Sequence, residues 1–422
     1  MRPLPPLPEW VQMEHQVAHI LQQQEEHGWY FDESKARELE STLRRELEDT
    51  TSILREQYPY VAGALFTPKR DNRTQGYVNG AELQRLKEFN PTSRDHIAWI
   101  LQTHFGWTPT QMTATGKPII DEITLTSINN PFSKQCARLL DLTKKLGMLS
   151  EGINAWLKLS TSAKRIHHHC SVGCATHRCS HRNPNLAQVP SDERFRALFI
   201  PTPGMVMVGS DLAGIELRLL AHYLAKYDGG KYADVLLNGD VHAENAKKVG
   251  VSRREIKTIT YAFLYGAGDK KSGSSFDGSL GEDQAKRKGK EIRKAYVDAI
   301  EGLSDLLKAV KLAAQRGYVR GLDGRYIGVD KGHKALNYLI QGSSATIAKR
   351  WMVLANCAAT IEPHTHQLAF IHDELQYETH PNYVDDLKFL LEFTATQAGE
   401  HYNLRIPIAA ESKSGTNWSE VH

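Results

Sequence analysis

The stretch "LAFIHDELQYE", residues 368–378, places two acids, Asp373 and Glu374, directly after an apolar run. The run and the residues that follow predict two β-strands joined by a tight turn, with Asp373 at a strand end. Adjacent carboxylates repel one another and resist burial, and a bound cation would relieve both costs. The stretch therefore favours a β-hairpin with a cation at its tip.

A second candidate carboxylate comes from much earlier in the chain. The run "GMVMVGSD", residues 204–211, predicts a core strand, and "IELRLLAHYLAKY" after it predicts a helix. If that strand neighbours the hairpin, Asp211 and Asp373 form an all-oxygen site of the kind that magnesium prefers. The alternative is that both acids are solvent-facing turn residues, since aspartate is common in turns.

The segment "RREIKTITYAFLYG" predicts a helix with two distinct faces. One stripe begins cationic and ends aromatic, which suits a nucleoside triphosphate: cations bind phosphates, and tyrosines contact base and sugar. The alternative is an ordinary amphipathic helix with basic side chains reaching solvent. The next segment, "YGAGDKKSGSSFDGSLG", is expected to be a flexible connection. The stripe consists of Arg253, Lys257, Tyr261 and Tyr265.

Composition limits the class of protein. The 422 residues, 41% of them hydrophobic, are ample for a globular chain of two or three domains. Net charge is only +3, so attraction to a polyanion must be local, as in residues 161–190, which lack Asp and Glu. Five cysteines, an odd number, favour a reducing compartment, and no apolar run is long enough to cross a bilayer.

The stretches "SDLAGIELRLLAHYL", "RREIKTITYAFLYGAGD" and "FIHDELQYE" resemble the three polymerase motifs of the family A DNA polymerases, in the same order. Further blocks, such as "PNLAQVP" and "ALNYLIQGSSA", are similar to the replicative polymerases of short-tailed, T-seven-type phages. The resemblance spans nearly the whole chain. It implies an α+β right-hand fold: a helical thumb (1–160), an antiparallel-sheet palm (161–229 and 326–422) and helical fingers (230–325).

This resemblance implies template-directed addition of deoxynucleotides to a primer 3′ hydroxyl by two-metal-ion nucleotidyl transfer. Two magnesium ions, replaceable by manganese, would be bound by Asp211, Asp373 and the carbonyl of Leu212. Glu374 matches a supporting acid of the last motif. Lys257 matches both a triphosphate contact and a candidate proton donor to the leaving pyrophosphate.

The resemblance also implies how the nucleotide is selected. Glu216 matches a steric gate that packs with Tyr265 and leaves no room for a ribose 2′ hydroxyl. Tyrosine at position 261 goes with ready acceptance of dideoxynucleotides. Arg253 and His242 match triphosphate contacts, although a capping or core histidine is the simpler interpretation of residue 242.

Contacts to primer-template DNA are implied for Arg178, Gln341 and His372, which match residues that hydrogen-bond minor-groove acceptors shared by all paired bases. The simpler interpretation of Gln341 is a polar helix residue. The chain has His177 where the family usually has glycine, so we expect the backbone there to differ.

The histidine- and cysteine-rich stretch 167–181 offers candidate zinc ligands, but they lack the usual paired spacing, and no zinc is expected. Only a few residues precede the thumb-like helices, which implies no 3′ to 5′ exonuclease in this chain. Residues 58–90 are expected to form a shorter loop than the thioredoxin-binding insertion of the T-seven-type relatives, which makes that partner doubtful.

We expect a monomer in the host bacterial cytoplasm, with a separate exonuclease or replisome proteins as further partners and no membrane association. Two rival functions stay open. A single-subunit RNA polymerase would share the metal aspartates but would not be expected to have a carboxylate gate. A catalytically silent DNA-binding scaffold would not need Asp211, Lys257 and Asp373 intact.

Overall fold

The computed structural model of the protein describes residues 6–278, 280–360 and 362–422. Among the helices of these residues, none is both long enough and apolar enough to span a bilayer. The helices are α1 Glu9–His27, α2 Glu33–Gln57, α3 Arg94–Phe105, α4 Glu122–Ser127, α5 Pro131–Leu146, α6 Trp156–Leu159, α7 Glu193–Arg196, α8 Ile215–Asp228, α9 Lys231–Asn238, α10 Val241–Val249, α11 Arg253–Leu264, α12 Asp269–Phe276, α13 Glu282–Ala299, α14 Leu303–Ala314, α15 Ala335–Ala359, α16 Val384–His401 and α17 Trp418–Val421. The strands are β1 Trp29–Tyr30, β2 Tyr60–Phe66, β3 Leu83–Glu88, β4 Arg165–Ile166, β5 His169–Ser171, β6 Ser180–Arg182, β7 Val206–Leu212, β8 Tyr318–Arg320, β9 Tyr326–Gly328, β10 His366–Ile371, β11 Glu374–Thr379 and β12 Ala410–Gly415.

The chain divides into two compact units. One comprises the residues up to 37 together with 153–268 and 291–422, and the other comprises 38–152 and 269–290. Every candidate site residue named above belongs to the first unit. The division does not follow the expected thumb, palm and finger ranges, which stay a prediction; residues 1–5 of the thumb range lie outside the described residues.

The first unit contains a four-stranded antiparallel sheet in the order β10-β11-β7-β12. Strand β7 lies between β11 and β12, and Asp211 is opposite Glu374 on one side and Glu411 on the other. A two-residue turn, His372 and Asp373, joins β10 to β11. The predicted hairpin and the predicted neighbouring strand are therefore both confirmed, and the sheet brings Asp211 and Asp373 to the same edge.

The two helices that complete the site begin and end as their sequences indicate. Helix α8 starts after Gly214, whose φ of 56° lies in the left-handed region, so the chain turns sharply out of β7. Helix α11 starts with a capping box in which Ser252 and Glu255 each bond the other's backbone N–H. The buried side chains Ile256 and Ile259 fix which face of α11 packs inward, and the cationic and aromatic stripe is left outside the core.

Residues 58–90 were expected to be a loop, and this expectation is wrong. They include strands β2 and β3, which pair antiparallel from Tyr60 opposite Glu88 to Phe66 opposite Leu83. The run "YVAGALF" has the aromatic and β-branched residues that suit a strand, although the turn formers after it obscure the pattern.

The segment after α11 was expected to be a flexible connection, but it includes helix α12. A Cβ atom at Gly273 would lie 1.8 Å from the carbonyl oxygen of Ala285 in α13, and a Cβ atom at Gly289 would lie 1.8 Å from that of Asp269. The backbones of α12 and α13 are therefore in direct contact. The glycines here serve close helix packing rather than flexibility.

Candidate active site

Asp211 and Asp373 meet at the edge of the four-stranded sheet. The backbone N–H of Leu212, the residue after Asp211, donates a 3.0 Å hydrogen bond to the carbonyl oxygen of Asp373. Burial, followed by the charges of Glu216 and Asp211, raises the pKa of Asp373 to about 7. The side chain of Asp211 is partly accessible to solvent. Desolvation of its carboxyl group by the surrounding protein, followed by the charge of Glu374, raises the pKa of Asp211 to about 6. This gathering of carboxylate oxygens suits a hard divalent cation.

Glu374 has a different environment from Asp373, because successive side chains of a strand point to opposite faces. The indole N–H of Trp418 donates a 2.7 Å hydrogen bond to Oε1 of Glu374, and Nδ1 of His422 lies 3.0 Å from its Oε2. The side-chain amide of Gln376 also donates to Oε1. Glu374 is thus held beneath the sheet edge by protein partners, a placement that suits a supporting role.

The carboxylate of Glu216 is buried at the first turn of α8 and has two partners. Arg178 donates a 2.6 Å hydrogen bond from Nη2 to Oε1 of Glu216. The hydroxyl of Tyr265 donates a 3.2 Å hydrogen bond to the same oxygen. Burial and the neighbouring Glu216 raise the pKa of Tyr265 to about 12, so its hydroxyl stays protonated. The structure therefore brings the expected gate pair together and adds Arg178 to it.

The stripe of α11 remains on one face, as its four-residue spacing predicts. The rings of Tyr261 and Tyr265 stack with centroids 6.3 Å apart and planes 21° apart. At the other end Arg253 donates a 2.7 Å hydrogen bond from Nε to Asp240, an exposed ion pair. Lys257 is exposed between the two ends. The helix thus presents cations and tyrosines in the order expected from the sequence.

His242 lies close to this stripe. Its ring centroid is 6.2 Å from that of Tyr261, and its Nδ1 is buried without a hydrogen-bond partner. Burial lowers the pKa of His242, so the imidazole is neutral near pH 7. The structure thus places His242 beside the stripe, and its role in binding phosphate stays a prediction.

The three residues expected to contact DNA are only partly brought together. Arg178 is engaged by Glu216, and His372, in the β10–β11 turn, has a φ of 60° that a non-glycine residue adopts at a cost. Gln341 is half-buried on α15, and within the described residues no hydrogen bond joins it to the other two. His177, where the family pattern has glycine, adopts a φ of 59°. This value lies in the left-handed region that glycine favours, and the expectation that the backbone differs from that of the family stays a prediction.

Three features of this site were missed by sequence reasoning. The pairing of Arg178 with Glu216 joins distant segments and has no local signal. Trp418 and His422 belong to the run "TNWSEVH", in which no site residue was predicted, although a tryptophan is a reasonable candidate for a buried hydrogen-bond donor.

Comparison with known proteins agrees with this geometry. The model of DNA polymerase family A matches residues 70–420. The DNA-directed DNA polymerases of Enterobacteria phage T3 and Escherichia phage T7 are each 31% identical to this chain over 98% of it and 70% of their own length.

A solved structure shows the same fold. It is the POL domain of Pol1 from M. smegmatis in complex with DNA primer-template and dNTP, with a TM-score of 0.78 and 22% identity over 97% of this chain and 70% of that one. The α+β polymerase fold is thereby confirmed, and with it comes a general dependence on divalent metal ions. The chain belongs to DNA polymerase family A and is a DNA-directed DNA polymerase.

Proposed function

We propose that this polymerase extends a primer 3′ hydroxyl at the sheet edge where Asp211 and Asp373 converge. The observation that supports this best is the hydrogen bond between the Leu212 N–H and the Asp373 carbonyl, which joins the backbone next to Asp211 to that of Asp373. Their raised pKa values indicate carboxylates that lack a compensating charge. Asp211, Asp373 and the carbonyl of Leu212 would bind two magnesium ions, for which manganese substitutes.

When bound, such ions activate the primer hydroxyl and neutralise charge on the triphosphate. The chain's own residues perform the remaining tasks. Arg253 and Lys257 bind the phosphates from the exposed face of α11, with His242 beside them. The ammonium of Lys257 donates a proton from Nζ to the pyrophosphate oxygen that leaves. Because Arg253 is paired with Asp240, that ion pair opens when a triphosphate binds.

Sugar selection is performed by Glu216 and Tyr265. The two hydrogen-bonded side chains would occupy the space next to the nucleotide sugar. A ribose 2′ hydroxyl would then meet a buried carboxylate rather than solvent. This contact favours deoxynucleotides and counts against the single-subunit RNA polymerase alternative. Tyr261, whose ring stacks on that of Tyr265, would contact the sugar 3′ position.

The primer terminus is checked by shape. Arg178, Gln341 and His372 would donate hydrogen bonds to minor-groove acceptors that every correct pair presents. Arg178 also donates to Glu216, so its guanidinium would be shared between the gate carboxylate and the primer terminus.

Primer extension on a defined template with magnesium tests the proposal. Asp211→Asn and Asp373→Asn should each lower the rate of primer extension by more than about a thousandfold. Both variants should bind primer-template as tightly as the parent chain does. Glu411→Gln is the matched control, because Glu411 on β12 lies opposite Asp211 on β7 and has no assigned role. Comparable extension by Asp373→Asn and the control would overturn the proposal. Weak DNA binding by all variants would instead indicate a folding defect, which circular dichroism detects.

A further inference from the structure

A cluster of three buried side chains lies outside the polymerase site just described. Strands β5 and β6 pair antiparallel, which places Cys170 opposite His181, and His168 immediately precedes β5. Within the described residues, one ligand atom from each of these three side chains lies within 4.8 Å of the others. All three are buried, and His168 has no exposed surface. The antiparallel register thus gathers ligands that their spacing in the sequence does not suggest.

The contacts within the cluster centre on Gln24 of α1. Cys170 Sγ lies 3.0 Å from His181 Nδ1. The amide nitrogen of Gln24 lies 3.0 Å from His168 Nε2 and 3.8 Å from Cys170 Sγ, while its Oε1 accepts a 2.8 Å hydrogen bond from Gln367. The side-chain amide of Gln24 therefore occupies the small space that the imidazole and the thiol face.

The contacts of the cluster identify the atoms that would bind an ion. His168 Nε2 faces the Gln24 amide, and His181 Nδ1 faces Cys170 Sγ. The opposite ring nitrogens, His168 Nδ1 and His181 Nε2, are buried without a hydrogen-bond partner. Each ring thus directs one nitrogen at the cluster, and neutral imidazole is the form that binds metals.

We propose that His168, Cys170 and His181 bind one divalent ion of the zinc class. Two imidazoles and a thiolate are the ligands of a borderline-soft ion, in contrast to the hard oxygen set at Asp211 and Asp373. Rotation of the Gln24 amide turns its oxygen toward the ion as the fourth ligand, and a matching rotation of the Gln367 amide keeps the hydrogen bond between the two. Binding replaces the thiol proton of Cys170, which passes to solvent, so the ion is held by one thiolate and three neutral groups. The expectation of no zinc rested on the missing paired spacing and on the placement of the stretch in a strand and turn of the palm.

The position of the cluster has a consequence for the residues expected to contact DNA. Gln24, which contacts His168 and Cys170, lines a cavity of about 420 Å³ on another side. Arg178 lies in the loop between β5 and β6, and the ring of His181 packs against that of His372 with centroids 5.9 Å apart. A bound ion would brace the supports of two residues proposed to contact the primer terminus. It would act on them as a structural clamp and take no part in the chemical step.

Cobalt(II) titration of the chelator-stripped chain in an Asp373→Asn background tests the proposal. We expect one equivalent to produce a sulfur-to-cobalt charge-transfer band with the intense visible absorption of a tetrahedral site, and zinc to displace it. Oxygen ligands at the catalytic carboxylates cannot produce the charge-transfer band. Cys170→Ser should abolish the band, and His168→Gln should weaken binding by about a hundredfold or more. Cys174→Ser and Cys179→Ser are matched controls that should keep it.

Two outcomes would overturn the proposal: no charge-transfer band in the parent chain, or a band that survives Cys170→Ser. To separate ligand loss from misfolding, zinc is also added during thermal unfolding. Zinc should raise Tm of the parent chain and leave that of Cys170→Ser unchanged. Gln24→Glu, which offers a carboxylate as the fourth ligand, should bind zinc about tenfold or more tightly than the parent. Unchanged zinc affinity in Gln24→Glu would contradict the assignment of Gln24 as the fourth ligand. The cobalt titration alone would then decide whether His168, Cys170 and His181 bind the ion.

Discussion

Arg178 and Glu216, which belong to different segments of the first unit, are joined by a 2.6 Å hydrogen bond between largely buried groups. The contact links a residue proposed to inspect the primer terminus with the residue proposed to inspect the incoming sugar. Removal of one of the two charged side chains leaves the charge of the other buried without compensation. The two residues are therefore expected to act as a unit.

A double-mutant cycle measures this coupling. Glu216→Ala should lower the ratio of dNTP to rNTP kcat/KM by about tenfold or more, because the clash with a 2′ hydroxyl is removed. Arg178→Ala should lower it less, by loosening the gate. The double mutant should deviate from additivity by about 1 kcal/mol. Glu411→Ala is the control, and strictly additive effects would show that Arg178 does not hold the gate.

Tyr261 is expected to control the use of chain terminators. Burial and the nearby carboxylates of Glu216 and Asp373 raise the pKa of Tyr261, so a protonated hydroxyl faces the catalytic edge. A dideoxynucleotide lacks its 3′ hydroxyl, and the tyrosine hydroxyl can supply the missing hydrogen bond. Tyr261→Phe should therefore reduce ddNTP incorporation by about tenfold to a hundredfold with dNTP incorporation little changed. Equal ddNTP to dNTP ratios for both proteins would refute this role.

The catalytic carboxylates are expected to destabilise the metal-free protein. The pKa of Asp373 is raised from 3.8 to about 7, so the folded state binds this proton more tightly than the unfolded state. Stability is therefore unaffected by this group at acid pH and falls as pH rises from about 4 through about 7. In EDTA, Asp373→Asn should raise the free energy of unfolding by about 2–4 kcal/mol at pH 8 and change it little at pH 4.

Urea titrations at the two pH values measure this effect. Asp298→Asn, on the exposed face of α13, is the control and should leave the free energy of unfolding within about 0.5 kcal/mol of the parent at both. A gain for Asp373→Asn that is equally large at pH 4 would mean that packing, and not charge, is responsible.

The left-handed backbone of His177 has a measurable cost. Its φ of 59° favours glycine, so His177→Gly should be more stable to unfolding than His177→Ala by about 1 kcal/mol. Both variants lose the same ring contacts, so their difference isolates the backbone. The same pair of substitutions at Lys294 in helix α13 should give the opposite order, because alanine is the better helix former. An Ala variant as stable as the Gly variant at position 177 would show no strain.

Much of the fold was predictable because the decisive signals are local. The strand-to-helix switch at Asp211 and the hairpin around Asp373 follow from apolar runs that end at acids, and α11 follows from its periodicity. Helix α12 was missed because glycine and serine are poor helix formers, and its stability comes from contact with α13.

The arrangement within the site was less predictable. The types of residue at the sheet edge, where Asp211 and Asp373 lie, and on the α11 stripe could be predicted, because few other side chains suit phosphates and divalent ions. The partner of Arg178, the environment of Glu374 and the gathering of His168, Cys170 and His181 depend on pairings between segments. Strand register and tertiary contacts determine such pairings, and a short stretch of sequence does not determine either of them.

The order of the strands in the four-stranded sheet also affects how the protein is made. Strand β7 pairs with β11 and β12, which follow it after several intervening helices. Such high contact order slows folding and leaves the edges of β7 exposed to aggregation while the later strands are still being synthesised. Recombinant production should therefore give more native enzyme when translation is slow or the temperature is low, and refolding from denaturant should be slow and concentration-sensitive.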